Sequence, residues 1–344
     1  MKRLYLILLA LAGMATLFSP ACRKKYEPQS TVVPSTVNPF GPPPSGATTG
    51  SELNKLFKAL RYTPEVKCVT AGIPQTVTFS KGTKLTFYAN SFKDKNGNII
   101  TSGTVCISMI EMYKPGDMIA NRASTTSGSD QLRSGGQVYI EATKDGQKVY
   151  ANKYGIGFRQ AAPSTQAMAL YYGGTNNSDS LVLWGKGSTA LGTIVAGTVT
   201  DTVADTSTGG GGGGSVWTYP FYQFDSCIDF NWINCDYQWP SAGAKASATV
   251  AISDTGFSNY NTQVFMVFTS INSVTRVYQK TTSPLTFESA QHPIGEDIIL
   301  VVMAVKYGTY YYYEEATTLT PGLTIHAALA PHTLEYVQDK LHNF

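Results

Sequence analysis

From Gln75 onward the chain is written almost entirely in short runs that alternate apolar and polar residues and are cut by turn residues. "TVTFSKGTKLTFYANSF" alternates along its length, and Asn96-Gly97 has the form of a hairpin turn. "TVCISMIEMY" reads as a strand, and Asp145-Gly146 joins "QVYIEAT" to "QKVYANK" as a second hairpin. A period of two sends successive side chains to opposite faces of a sheet, so such runs are stable where sheets stack and each buries a face. The spacing predicts a β sandwich that closes near Leu181-Val182-Leu183-Trp184. A second set of runs, "ASATVAISD", "TQVFMVFTSI", "TRVYQKT", "DIILVVMAVKY" and "TYYYYEEATTLT", predicts a second β domain. Composition agrees. With 21 Tyr, 15 Phe and 42% apolar residues among 344, the chain favours strands and holds enough apolar surface for two cores.

Between the two sets lies "DTVADTSTGGGGGGS". Glycine loses the most backbone entropy on ordering, so residues 201–216 are expected to be an interdomain linker or a long loop. A phosphate-cradling role needs a preceding strand, a following helix and a closing Lys-Ser/Thr, and this stretch lacks them. Two short helices are expected at the ends of the folded part. Ser51 reads as an N-cap to Leu53, Leu56, Phe57 and Leu60, and Leu334, Val337 and Leu341 form a terminal apolar stripe. The expected fold is mainly β: two β-sandwich-like domains, over 51–200 and 217–344, with a short N-terminal and a short C-terminal helix.

The first fifty residues are of another kind. Met1-Lys2-Arg3 is a positive n-region, and Leu4 to Phe18 is an uncharged apolar stretch of signal-peptide length, rather short for a spanning helix. Ser19-Pro20-Ala21-Cys22 resembles the lipobox of bacterial lipoproteins, with Ser19 where that motif usually has Leu. The expectation is a lipoprotein signal peptide over 1–21 and a lipidated Cys22 as first residue of the mature chain. The alternative is ordinary secretion with cleavage after Ala21 and a free Cys22. Two or three acyl chains, at about 0.8 kcal/mol per buried methylene, suffice for stable anchoring in a bilayer. Residues 22–50 then read as a Pro/Ser/Thr tether in which extended polyproline II is favoured.

Five of the 26 basic residues lie in the leader and in Arg23-Lys24-Lys25, which leaves 21 against 23 acidic residues in the body. A near-neutral body argues against a nucleic-acid partner. The basic cluster beside Cys22 suits anionic head groups, at roughly 1 kcal/mol per charge.

Cys68, Cys106, Cys227 and Cys235 are an even set in an oxidising compartment. They permit three pairings. Domain order favours Cys68 with Cys106 and Cys227 with Cys235, and a buried free thiol is the alternative for Cys106. No CxxC, HExxH or GxSxG occurs, so no metal, cofactor or catalytic residues are assigned. His332 and Glu335 form an H-x-x-E on the terminal helix, read as a solvated face. Asp94 to Asn98 has the start of a calcium loop but reads as a hairpin turn. Glu111, Asp117 and Glu141 are the carboxylates that a glycoside hydrolase would need. The strongest surface signal is aromatic. Tyr310, Tyr311, Tyr312 and Tyr313 run unbroken, and Trp217, Tyr219, Phe221, Tyr222, Trp232, Tyr237 and Trp239 crowd the start of the second domain. In a strand such a run sends some rings inward and some outward, and outward rings would stack on sugars or dock a protein edge. Ordinary core packing is the alternative.

The order of several segments adds a resemblance. "YANSFKDKNGNIITSGTVCISMIEMY", Thr126-Ser127 through Gly135-Gly136, Ile140-Glu141-Ala142, "LVLW", and Trp232 to Asp236 follow one another as in a family of lipid-anchored envelope proteins from Bacteroidetes. The first part is similar to the ZU5 type of β sandwich. The resemblance implies an envelope lipoprotein and assigns no reaction. The His-Phe-Ser triplet at which some ZU5-type domains cleave themselves is absent. The basic residues after Cys22 depart from the acidic tract of surface-exported relatives, so an outer-membrane location facing the periplasm is favoured over surface display.

The expected function is a non-enzymatic binding or assembly module held at a lipid bilayer and recognising an envelope protein or a glycan. The alternative is a carbohydrate-active or peptide hydrolase with its site between the two β domains. Asn176-Asn177-Ser178 and Asp179-Ser180-Leu181 resemble glycosylation signals.

Overall fold

Helix α1 (Glu52–Leu60) forms where Leu53, Leu56, Phe57 and Leu60 recur at helical spacing, and all four are buried. A computed structural model describes residues 52–127, 130–160, 165–175, 182–201, 215–240 and 243–344. Cys22, the leader, the tether, Ser51, the run Gly209 to Gly214 and both glycosylation-like triplets lie outside the described residues.

Twenty-four strands follow among them. The first fourteen are β1 (Glu65–Thr70), β2 (Gln75–Thr78), β3 (Lys84–Phe87), β4 (Phe92–Lys93), β5 (Thr104–Met112), β6 (Thr126–Ser127), β7 (Asp130–Lys144), β8 (Gln147–Ala151), β9 (Tyr154–Arg159), β10 (Ala169–Thr175), β11 (Val182–Leu191), β12 (Thr193–Asp201), β13 (Ser215–Cys227) and β14 (Asn231–Gln238). A six-residue helix, α2 (Pro115–Ala120), follows β5. The rest are β15 (Lys245–Ala246), β16 (Thr249–Ile252), β17 (Thr262–Phe268), β18 (Ser273–Thr282), β19 (Leu285–Glu288), β20 (His292–Pro293), β21 (Asp297–Lys306), β22 (Thr309–Thr318), β23 (Thr324–His326) and β24 (Ala330–His332), closed by α3 (Leu334–His342).

The first body is a sandwich of two sheets. One has the order β1-β5-β7-β14-β10-β11, with β4, β6 and β8 attached beside that path, and the other runs β12-β13-β9-β3-β2. Val105, Ile107, Val138 and Ile140 from the first meet Leu85, Phe87, Ile156 and Phe158 from the second in one core. The predicted mainly β fold with a short helix at each end is therefore the observed one.

The expected boundary at residues 201–216 is corrected. β12 and β13 are antiparallel partners from Thr193↔Gln223 to Asp201↔Ser215, so the glycine run connects two strands of one sheet. β13 then pairs with β9, and β14 inserts between β7 and β10. Residues 215–238 complete the first body, and the second begins near Lys245. Alternation identifies a strand but carries no information about its partner, which here is distant in sequence.

The second body is an eight-stranded sheet, β23-β16-β19-β18-β17-β21-β22-β24, with β15 and β20 as a small separate pair. Val250, Ile252 and Phe287 share a core with Val264, Met266, Leu300 and Val302. All seven residues of β17 are buried. The reason is a third apolar layer. Phe265, Val267, Val301 and Met303, on the other face of β17 and β21, meet Ile110, Met112, Tyr171, Trp184 and Trp232 of the first body, together with α1 and α3. Phe57 of α1 lies edge-on to Phe265 at 6.2 Å. The two bodies are joined by a core of their own.

Candidate functional site

Two of the segments singled out in the sequence, the one ending in Gly135-Gly136 and Trp232 to Asp236, are neighbours in space. In the β14–β7 ladder Trp232 faces Tyr139, Asn234 faces Gln137, Asp236 faces Ser134 and Tyr237 faces Arg133. Gly135-Gly136 is required where the chain crosses beneath Tyr113. Gly136 has φ +130°, and a Cβ there would come within 2.6 Å of the Tyr113 ring, while one on Gly135 would meet the Cys235 carbonyl at 2.9 Å.

Behind this crossing lies a buried polar network. Asn234 Nδ2 donates to Asp236 Oδ2 at 2.5 Å, and Gly136 N donates to Ser134 Oγ at 3.1 Å. Gln137 Nε2 and Trp184 Nε1 both donate to the Ser124 carbonyl, at 3.0 and 2.5 Å. Asp236 is fully buried, and burial drives its carboxyl well above the usual carboxylate range, against the opposing hydrogen bonds of Ser134, Asn234 and Gly135. Its Oδ1 has no partner among the described residues.

The network continues across the seam between the bodies. Thr125 N donates to the Val274 carbonyl at 2.7 Å, and Val274 N returns a bond to Thr125 Oγ1 at 2.7 Å. Ser273 Oγ bonds both Thr125 Oγ1 and Gln131 Nε2. Asn272, in the left-handed region at φ +49°, donates from Nδ2 to the carbonyls of Tyr113 and Ser134 at 3.1 and 3.3 Å. Apolar packing holds the bodies together, and these directional bonds fix their register.

Beside the seam opens a cleft of about 370 Å³, within the size range of small-molecule sites. Lys114, Arg133, Ser134, Gln160 and Asn272 line it with donors, Tyr113, Tyr222 and Phe344 with rings, and Thr269 and Ser270 with hydroxyls. No carboxylate side chain, imidazole or thiol is among its described lining residues.

The carboxylates read from the sequence are engaged elsewhere. Glu111 accepts from Lys81 N at 2.7 Å and Thr83 N at 2.8 Å, which secures the β2–β3 turn, and burial raises its carboxyl despite those bonds. Asp117 pairs with Lys81 Nζ at 2.8 Å and accepts from Tyr113 N at 3.0 Å. Glu141 accepts from the Tyr139 hydroxyl at 2.6 Å. Asp94 accepts from Asn96 N and Asn98 N, at 2.8 and 2.9 Å, and closes its own hairpin turn.

Histidines do not converge. His332 ends β24 and is not on the helix, which is a correction; it stacks on Tyr336 at 3.8 Å. His292 is buried against Phe268, and burial lowers its pKa to about 4. No group of three His, Cys, Asp or Glu able to hold a metal occurs among the described residues.

Cys68 and Cys106 are disulfide-bonded, as facing residues of β1 and β5. The pairing of Cys227 with Cys235 is overturned: both are free and buried. They belong to β13 and β14, which lie in different sheets, and burial pushes the Cys227 thiol up to about 12. In the tyrosine run Tyr312 is buried and Tyr310, Tyr311 and Tyr313 are half-buried; Tyr310 and Tyr312 pack on the joining core, and Tyr311 and Tyr313 on the core of the second body.

The sequence reading missed Ser124, Thr125, Gln131, Asn272 and Ser273. Their only signal was polarity at the margins of apolar runs, which turns and loops share. No protein-family model matches the chain, and no curated protein matches it.

Proposed function

We propose that the protein is a cell-envelope lipoprotein, acylated at Cys22 and held on its tether at a bilayer, whose folded body is a non-enzymatic binding or assembly module. The cleft beside the seam is its binding site, and a glycan or a polar segment of an envelope protein is its ligand. One observation carries this reading: the lining combines hydrogen-bond donors, the cationic Lys114 and Arg133 among them, with the aromatic rings of Tyr113, Tyr222 and Phe344. Rings stack on sugar faces, and donors on rigid strands orient hydroxyl or carboxylate groups. The leader and the small-residue run before Cys22 support the anchoring. Resemblance to lipid-anchored envelope proteins supports the compartment.

The test is calorimetric titration of the purified body with envelope glycan fragments and with peptides from detergent-solubilised envelopes. A ligand should bind with an affinity that Arg133→Ala lowers by tenfold or more, about 1.4 kcal/mol. Turnover of any fragment by the wild type, unaffected by Arg133→Ala, would overturn the reading in favour of a hydrolase.

A further inference from the structure

Two hairpins of this protein have the same backbone turn and different chemistry. Asp145-Gly146 joins β7 to β8 with φ +51° and +74°, and Tyr307-Gly308 joins β21 to β22 with φ +52° and +78°. Both central residues of such a turn sit in the left-handed region, for which Asp-Gly or Asn-Gly is the favoured pair. A tyrosine there is a poor choice for folding, and its side chain is 90% exposed.

Tyr307 has company. The loop from Asp254 to Asn261 lies against the end of β21 just before it, tied by Val305 N to the Asn261 carbonyl at 2.9 Å and by Lys306 Nζ to the Thr255 carbonyl at 2.7 Å. Asn261 in turn accepts from Ser258 N and donates to the Gly256 carbonyl, which stiffens the loop and presents Tyr260, 57% exposed. Lys306 lies over both Phe257 and Tyr307. Two exposed tyrosines and a lysine thus stand on a rigid base.

Their position in the chain names what they meet. Gly308 N donates to the Glu52 carboxylate at 3.1 Å, so the turn lies against the first residue of α1, where the segment from Cys22 enters the folded body. Lys55 and Lys58 are exposed on the same helix. The acids nearby are Glu52, bound to the turn, and the exposed Asp254. We infer that Tyr260, Tyr307 and Lys306 form a membrane-facing patch that seats the folded body on the head-group region of the bilayer carrying its anchor. Tyrosine suits that region because its ring enters the acyl boundary while its hydroxyl stays wet, and lysine adds attraction to anionic lipids. The inference rests on the lipoprotein reading. Residues 23–51 reach up to about 90 Å if extended, so the anchor alone does not press the body onto the surface. It supplies a high local concentration, which lets a weak patch engage.

The test forces the tether and reads the patch. The chain from Cys22 onward is coupled through that thiol to maleimide lipid in vesicles of phosphatidylethanolamine and phosphatidylglycerol, then footprinted with hydroxyl radicals. Compared with uncoupled protein, labelling of Tyr260 and Tyr307 should fall severalfold, while Tyr150 and Tyr278, exposed elsewhere, stay unchanged. In Tyr307→Asn, a residue the turn accepts, Tyr260 should regain its labelling in the coupled protein. Equal labelling of Tyr260 and Tyr307 with and without coupling would overturn the inference, as would protection that appears only when envelope proteins are added. Mass spectrometry of the native Cys22 reports on acylation separately, so the lipoprotein reading and the patch fail independently.

Discussion

Residues that work against stability are the informative ones here. Tyr307 holds a left-handed conformation that disfavours a side chain of its size by about 1–2 kcal/mol, and Asn relieves part of this. Tyr307→Asn is therefore expected to raise the unfolding free energy by roughly 0.5–1 kcal/mol, read from the urea midpoint. Asp236 is a second case. Burial raises its pKa in the native state above the unfolded value of about 3.9, so above that pH the native protein binds more protons and stability falls as pH rises towards the raised native pKa. The decline is up to about 1.4 kcal/mol per pH unit until the raised native pKa is reached. Asp236→Asn removes that dependence, so its urea midpoint should fall less than the wild type's between pH 4 and 8, by the linkage argument. Equal slopes would place the charge elsewhere. The sequence marked Asp236 through a resemblance, but its raised pKa comes from full burial, which no local pattern encodes.

Among elements, β1 and β5 are linked twice, by their ladder and by Cys68–Cys106, which closes a loop with a sequence separation of 38. Loop-closure entropy for that length is worth about 4 kcal/mol. The double variant Cys68→Ser, Cys106→Ser should lose up to that amount in chemical denaturation. Thiol counting in denaturant should find two reactive groups beyond Cys22, those of Cys227 and Cys235. Four would remove the disulfide. β17 shows what a sequence run can reveal. "TQVFMVF" breaks the alternation of a half-buried strand, and an unbroken apolar run signals burial on both faces. β22 is the counterpart. Strand alternation sends its tyrosines to both faces, and Tyr310, Tyr311 and Tyr313 stay half-buried, while Tyr312 is buried and satisfies its hydroxyl by donating to Glu314 at 2.7 Å.

At the scale of the molecule, the joining core makes separate unfolding of the two bodies unfavourable. Parting them exposes Trp184 and Trp232 on one side and Phe265 and Met303 on the other, at roughly 1.5–3 kcal/mol per large side chain. Circular dichroism and tryptophan fluorescence should therefore report one coincident transition. Two resolved transitions would mean that the seam contributes little. A fragment ending at residue 240 should aggregate, because it keeps the first body but uncovers the apolar face that β17 and β21 shield.

Most elements of this protein were determined by the sequence alone: period-two runs for strands, Asn-Gly and Asp-Gly for turns, apolar spacing for α1 and α3, and the leader with Cys22 as an expected anchor. Those signals are local, since each depends on residues within a few positions of one another. What belongs with what was decided only in three dimensions. The placement of β13 and β14 in the first body, the fate of Cys227 and Cys235, the burial of Tyr312 and the cleft beside the seam depend on contacts between residues tens to hundreds of positions apart. Hydrophobic burial selects such contacts by shape and area, and a stretch of sequence states its own polarity without naming the surface that will cover it.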